Sequence, residues 1–144
     1  MKIFFGADHR GFELKNKLAT YAKTQGFEVH DMGNDHYDAQ DDYPDFSQKV
    51  AHAVLQDPGA LGVVICGSGI GVAMAANRFK GIRAALGFRI DQVRHGREHD
   101  HINVLALPSD YIDEQTGERM IDEFVKTEPV MEEKYTRRSG KLDA

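Results

Sequence analysis

Five short apolar runs alternate along the chain with segments whose apolar residues recur every three or four positions, and this alternation leaves few folds open. Ile3–Phe5 ends at Gly6-Ala7-Asp8-His9, after which Phe12, Leu14, Leu18, Tyr21 and Ala22 keep helical spacing until Gly26. Phe27–His30 predicts a second strand, Tyr43-Pro44-Asp45 opens a helix through Val50, Val54 and Leu55, and Leu61–Cys66 forms a third strand. A helix to about Phe79, a strand at Ile82–Leu86, a helix across Ile90–His99, a strand at Ile102–Leu107 and a helix over Tyr111–Val125 complete the series. Strand–helix order with connections this short requires right-handed crossovers and a parallel sheet covered on both faces. The expected class is α/β, with five parallel strands in one domain.

The 144 residues are enough to bury roughly 68–70% of the unfolded surface in a single core, so residues 1–127 are read as one domain. The remaining segment, 128–144, carries Lys134, Arg137, Arg138 and Lys141 with little apolar content, and is expected to pack on a surface or on a partner subunit. Gly33–Asp42 is the longest polar loop and a candidate mobile wall. A formal charge of −5 gives no general attraction to nucleic acid or to an anionic membrane, and no window is apolar enough for a transmembrane helix. One cysteine cannot form an internal disulfide, and Met1-Lys2-Ile3-Phe4-Phe5 does not read as a signal peptide. The expected location is the cytoplasm.

In open parallel sheets ligands bind beyond the carboxyl ends of the strands, where the strand order reverses. Polar residues collect at those ends: Asp8 and His9 after the first strand, Cys66 and Ser68 after the third, and His99 to His101 before the fifth. Cys66 is followed by Gly67-Ser68-Gly69-Ile70-Gly71, a turn that aims backbone N–H groups beside the sulfur. A thiol in that setting is biased toward the reactive thiolate. Asp8 also suits a plain helix cap, and His99 a solvated helix end.

The glycines do not form a dinucleotide fingerprint, because they are spaced two apart, Val72 stands where glycine or alanine is needed, and no acid ends the next strand. No Lys-Ser/Thr pair marks a nucleotide-phosphate loop. His95-Gly96-Arg97-Glu98-His99 matches an inverted zinc-protease pattern only formally, since Gly96 weakens the helix it needs. A zinc ion on His95, His99 and His101 lacks a fourth ligand. These patterns therefore give little support to a nucleotide site or a zinc site.

As a set, Gly6-Ala7-Asp8-His9-Arg10-Gly11-Phe12, Asp42-Tyr43-Pro44, Ile65 to Gly71, Ala76 to Ala84 and Asn103-Val104-Leu105-Ala106 resemble the type B ribose-5-phosphate isomerases and the related galactose-6-phosphate isomerase subunits. The resemblance implies a Rossmann-like sheet, a homodimer, sometimes paired into a tetramer, with active sites shared between subunits, and no metal or organic cofactor. It also implies aldose–ketose isomerisation through an enediolate, which needs a base and a stabilised oxyanion. On that resemblance Cys66 is the base, the amides of Gly67, Gly69 and Gly71 form the anion hole, and Ser68 moves a proton between the two oxygens. Asp8 and His99 open the sugar ring, with His99 supplied by the partner. Tyr43 lines the pocket, His9 lies near the phosphate, and Lys134, Arg137 and Arg138 take the places of the family's cationic tail. A chain holding both Cys66 and His99 favours the homomeric pentose enzyme over the split galactose pair.

Two positions depart from the family pattern by carrying acids. Asp100 stands where asparagine commonly follows the histidine, in a substrate-facing position, and Asp110 stands where an arginine often meets phosphate. Arg10 is the expected compensation, either by pairing with Asp100 or Asp110 or by contacting phosphate itself. The reading is an isomerase of ribose 5-phosphate and ribulose 5-phosphate. Its alternatives are an isomerase of a six-carbon phosphosugar and a non-catalytic phosphosugar-binding regulator.

Overall fold

The computed structural model describes residues 1–144. Its strands are β1 (Lys2–Ala7), β2 (Glu28–Asp31), β3 (Leu61–Cys66), β4 (Ala84–Leu86) and β5 (Val104–Pro108). Its helices are α1 (Phe12–Thr24), α2 (Tyr43–Gln56), α3 (Ile70–Ala76), α4 (Ile90–His95), α5 (Glu114–Lys126) and α6 (Glu133–Gly140). All strand pairs are parallel, in the order β2-β1-β3-β5-β4, with Phe5 opposite Val63 and Val63 opposite Leu105. This is the expected Rossmann-like α/β sheet of five parallel strands.

Successive side chains of a strand point to opposite faces, and two core layers follow from that. Ile3, Phe5, Ala7, Val63 and Ile65 pack with Leu18 of α1, Val93 of α4 and Phe124 of α5 on one face. Phe4, Val64 and Cys66 pack with Val50 and Val54 of α2 and Val72 of α3 on the other. The central strand β3 is buried along its whole length, which explains its unbroken apolar run. By contrast the edge strand β2 exposes Glu28, His30 and Asp31, charged and polar groups that blunt an open edge.

From β1 the chain moves outward to β2 and then returns across β1 to β3, so the strand order reverses between β1 and β3. The carboxyl ends of those two strands carry Asp8 and Cys66. The site expected from sequence therefore lies at the topological switch point.

Several boundaries differ from the sequence reading. The helix after the glycine turn stops at Ala76, because the Asn77 side chain donates to Ala84 O at 2.8 Å and accepts from Ala84 N at 2.7 Å, closing a turn. The helix expected over Ile90–His99 is α-helical only to His95 and continues as a π turn over Gly96–Asp100, ended by left-handed His101. Helix α5 starts at Glu114 because Asp113 caps it, accepting from Thr116 N at 2.8 Å. The loop Gly33–Asp42, expected as a mobile wall, is pinned at both ends. Asn34 N donates to Ala7 O at 3.1 Å, Met32 N donates to Phe5 O at 2.7 Å, and Asp41 receives the His9 amide at 2.9 Å.

Candidate active site

A cleft of about 320 Å³ opens at the switch point, lined by Asp8, Arg10, Tyr43, Cys66, Gly67, Ser68, Gly71, Asp110 and Tyr111. That volume is at the lower end of the range typical of small-ligand pockets. Cys66 contributes to the lining although its residue is only 5% exposed.

The glycine turn is shaped by what surrounds it. Gly69 adopts φ +72°, and a Cβ there would lie 2.5 Å from Leu86 Cδ1 and 3.1 Å from the Leu107 carbonyl carbon. Both the left-handed conformation and the lack of space demand glycine. A Cβ at Gly67 would meet Arg10 Nε at 2.6 Å and Asp110 Oδ2 at 2.9 Å, and one at Gly71 would meet the Tyr43 ring at 2.8 Å. The backbone N–H groups of Gly67, Ser68 and Gly69 have no acceptor within the chain, while Ile70 N donates to Ser68 Oγ at 3.2 Å. Unpaired amides beside a thiol make a place where developing negative charge can be held.

Two neighbouring turns brace this one. Asp8 is buried, and its Oδ1 accepts the amides of Arg10 at 3.0 Å and Gly11 at 3.1 Å, which uses one carboxylate oxygen for structure and leaves Oδ2 unbonded. Asp8 therefore does not cap α1, whose cap position is Gly11 with no side-chain bond; it braces the turn before that helix and lines the cleft. Ser109 Oγ donates to Arg10 O at 2.9 Å, Ser109 N donates to Cys66 O at 2.9 Å, and Asp110 N donates to Gly67 O at 3.0 Å. Arg10 pairs with Asp110 over Gly67. Of the two acids proposed as its partner, Asp110 is the one it meets.

Next to the cleft, His9 is held by Asp41, whose Oδ1 lies 2.7 Å from His9 Nδ1. Burial pushes the Asp41 carboxyl up, but the bonds from the His9 ring and amide and from Asn34 outweigh it, leaving the group below the ordinary carboxylate value. Asp8, His9 and Asp41 bring potential ligand atoms within 4.8 Å of one another. At 2.7 Å the His9–Asp41 contact is a hydrogen bond, Asp8 Oδ1 is taken by backbone amides and Asp41 Oδ2 by Asn34, and Asp8 Oδ2 is the one carboxylate oxygen of the three residues without a partner.

Of the other sequence-predicted residues, His99 and the basic residues of α6 lie together, apart from this cleft. His99 sits in the π turn with Nδ1 at 3.3 Å from His95 Nε2, and its ring stacks on Tyr135 of α6 with centroids 4.3 Å apart. Lys134 lies over the Tyr135 ring at 4.7 Å, Arg137 pairs with Glu133, and Arg138 shares the same short helix. Asp100 lines a different and larger cleft with Arg78, Lys80 and Arg83. None of His99, Asp100, Lys134, Arg137 or Arg138 lines the Cys66 cleft of its own chain. His101 turns away from His95 and His99, its Nε2 at 2.9 Å from Val130 O, so the three histidines do not converge on a metal.

Sequence reasoning missed Lys15, Asp41, Ser109, Tyr111 and Tyr135. Asp41 directly precedes the Asp42-Tyr43-Pro44 motif, and Ser109 lies beside Asp110, so proximity to recognised residues was the available signal. Lys15 gave none, because a lysine among apolar helix positions reads as solvated.

Comparison with known proteins finds relatives in both sequence and fold. A sequence profile of the family described as Ribose/Galactose Isomerase matches residues 3–142. The chain is 42% identical over 125 residues to a probable ribose-5-phosphate isomerase B of Mycoplasma genitalium, covering 86% of this chain and 82% of that protein. It is 36% identical over 138 residues to ribose-5-phosphate isomerase B of Mycobacterium tuberculosis, covering 96% and 85% respectively. The crystal structure of the Mycoplasma genitalium enzyme with bound ribulose-5-phosphate superposes with a TM-score of 0.92 at 39% identity, over 98% of this chain and 93% of that one. The Thermotoga maritima ribose 5-phosphate isomerase structure gives 0.93 at 37% identity, over 99% and 97%.

Proposed function

The chain belongs to the ribose/galactose isomerase family, and on that premise we propose that it interconverts ribose 5-phosphate and ribulose 5-phosphate by proton transfer through an enediolate. The observation that carries the reading is the placement of Cys66 in a cleft beside three amides without acceptors. The Cys66 thiolate takes the proton from C2 of the open-chain aldose and returns it to C1. As the C2–H bond breaks, its electrons form the C1–C2 double bond and the charge collects on the carbonyl oxygen. The amides of the Gly67–Gly69 turn stabilise that oxygen, and Ser68 carries a proton between O1 and O2.

Ring opening precedes this step, and the free oxygen of Asp8 is assigned to it together with His99 of a second copy. That assignment is supported by the separation found within one chain. His99 and the cations of α6 form one exposed patch, and nothing in their own cleft matches them. A homodimer that sets the patch of one copy against the cleft of the other completes both sites. Ile70 and Met74, exposed on α3 beside the turn, supply apolar surface for such contact. Residues 128–144 then serve as the arm that reaches the partner, with Lys134, Arg137 and Arg138 meeting the phosphate from one side and Arg10 and His9 from the other. Tyr43 packs against Gly71 and forms a wall. A reduced thiol suits the cytoplasm.

The test is turnover of ribose 5-phosphate in the presence of chelator, compared between the native protein and Cys66→Ala. Removing the general base is expected to cost roughly 10²- to 10⁴-fold in rate. Equal activity in the two proteins removes Cys66 as the base.

A further inference from the structure

We propose that Asp41 is the positioning residue for His9, a carboxylate fixed by the loop between β2 and α2 that decides which imidazole nitrogen is presented to substrate phosphate beside Asp8. The inference deepens the isomerase reading above and rests on its placement of His9 near the phosphate.

Asp41 lies in the most polar loop of the chain, yet its side chain is only 5% exposed. Its Oδ1 accepts the His9 amide at 2.9 Å and faces His9 Nδ1 at 2.7 Å, and its Oδ2 accepts from Asn34 Nδ2 at 3.2 Å. An ionised carboxylate can only accept, so the His9 proton belongs on Nδ1. Nε2 is then the nitrogen left for a ligand, and it donates to a phosphate oxygen when it too carries a proton, as in the imidazolium, while Asp41 keeps Nδ1 occupied on the other side of the ring. The Tyr37 ring stands edge-on to the imidazole, with centroids 6.3 Å apart.

The holder is itself held. Asn34 is buried, and its backbone N–H donates to Ala7 O at 3.1 Å while its carbonyl accepts from Lys15. Lys15 also donates to both Asp31 oxygens, at 2.8 and 2.7 Å. A continuous run of contacts therefore joins the buried face of α1 to the His9 ring through Asn34 and Asp41. A solvated loop acid would need none of this.

Two variants separate the effects. Asp41→Ala removes charge and acceptor, whereas Asp41→Asn keeps an acceptor for Nδ1–H and removes the charge. The tautomer is read from ¹⁵N shifts of His9, and function from KM, kcat and the inhibition constant of inorganic phosphate. The proposal expects Asp41→Ala to lose the Nδ1–H signature and to raise both KM and the phosphate inhibition constant roughly tenfold, with kcat within about twofold, the size expected for a lost charge-assisted hydrogen bond. Asp41→Asn should keep the signature with a smaller rise, and thermal melting of both variants checks that the fold persists. An unchanged His9 spectrum in Asp41→Ala overturns the proposal. So does a lost signature with unchanged KM and phosphate inhibition. If the native protein does not turn over ribose 5-phosphate, the isomerase reading fails instead, and the ¹⁵N spectrum still decides whether Asp41 sets the tautomer.

Discussion

Replacing Lys15 with methionine isolates the contribution of the one lysine that folding buries completely. Methionine keeps most of the apolar stem, so packing against Phe12 changes little, and the loss is confined to the ammonium and its bonds to Asp31 and Asn34 O. Breaking a buried ion pair costs about 3–5 kcal/mol when the abandoned charge stays buried. Here the abandoned carboxylate is not sealed, since the Lys15 side chain is 0% exposed and that of Asp31 is 42% exposed. Water can solvate Asp31, which lowers the expected cost to about 2–4 kcal/mol, with Asn34 O as the group left unpaired. For a chain of this length that corresponds to a fall in Tm of roughly 6–16 °C. Calorimetry or thermal melting by circular dichroism measures it. The same variant should raise KM, because Asn34 and Asp41 lose their anchor. A change in Tm of less than about 2 °C would refute the reasoning, since it would mean that the amine gains no more from its partners than it loses on leaving water.

Three further outcomes follow from the same geometry. Gly69→Ala combines a left-handed conformation, costing about 1–2 kcal/mol, with a Cβ 2.5 Å from Leu86 Cδ1, so it should lower Tm by about 5–15 °C and abolish most turnover. Arg10→Ala should raise KM for ribose 5-phosphate about fivefold while moving Tm by less than about 3 °C, because an exposed pair contributes about 0–1 kcal/mol to stability; an unchanged KM removes its phosphate role. Arg94, followed by Thr127 and Lys126, holds the Glu123 carboxyl down at about 2 against an ordinary 4.5, with burial opposing. Because the folded value is the lower one, this stabilisation is complete above about pH 4.5 and is lost as pH falls toward about 2. Glu123→Gln should therefore flatten the acid limb of the stability curve, measured by urea unfolding across that window.

The sheet was legible because its strands are either buried on both faces or bounded by glycine. Leu61–Cys66 has the same limits in sequence and structure, and Asp8 and Cys66 stand at the switch point for topological reasons that alternation alone suggests. Helix α6 was not legible, since it buries no residue and leaves no apolar stripe to read. Its one informative residue, Tyr135, reveals itself only by stacking on His99. Strand β4 begins two residues later than Ile82 because the Asn103 side chain accepts from Arg83 N at 2.8 Å, an interaction that periodicity does not encode. Lys15 and Asp41 were missed for a shared reason. A charge buried against a specific partner violates the rule that patterns rest on, and its partner lies in another element.

The most direct test of the account is the exchange of the C2 hydrogen of ribose 5-phosphate with deuterated solvent, followed by NMR. The native protein should catalyse this exchange, and Cys66→Ala, shown to be folded by its melting curve, should lose it along with turnover. Exchange at the native rate in the variant would contradict the claim, because another group would then be removing the proton.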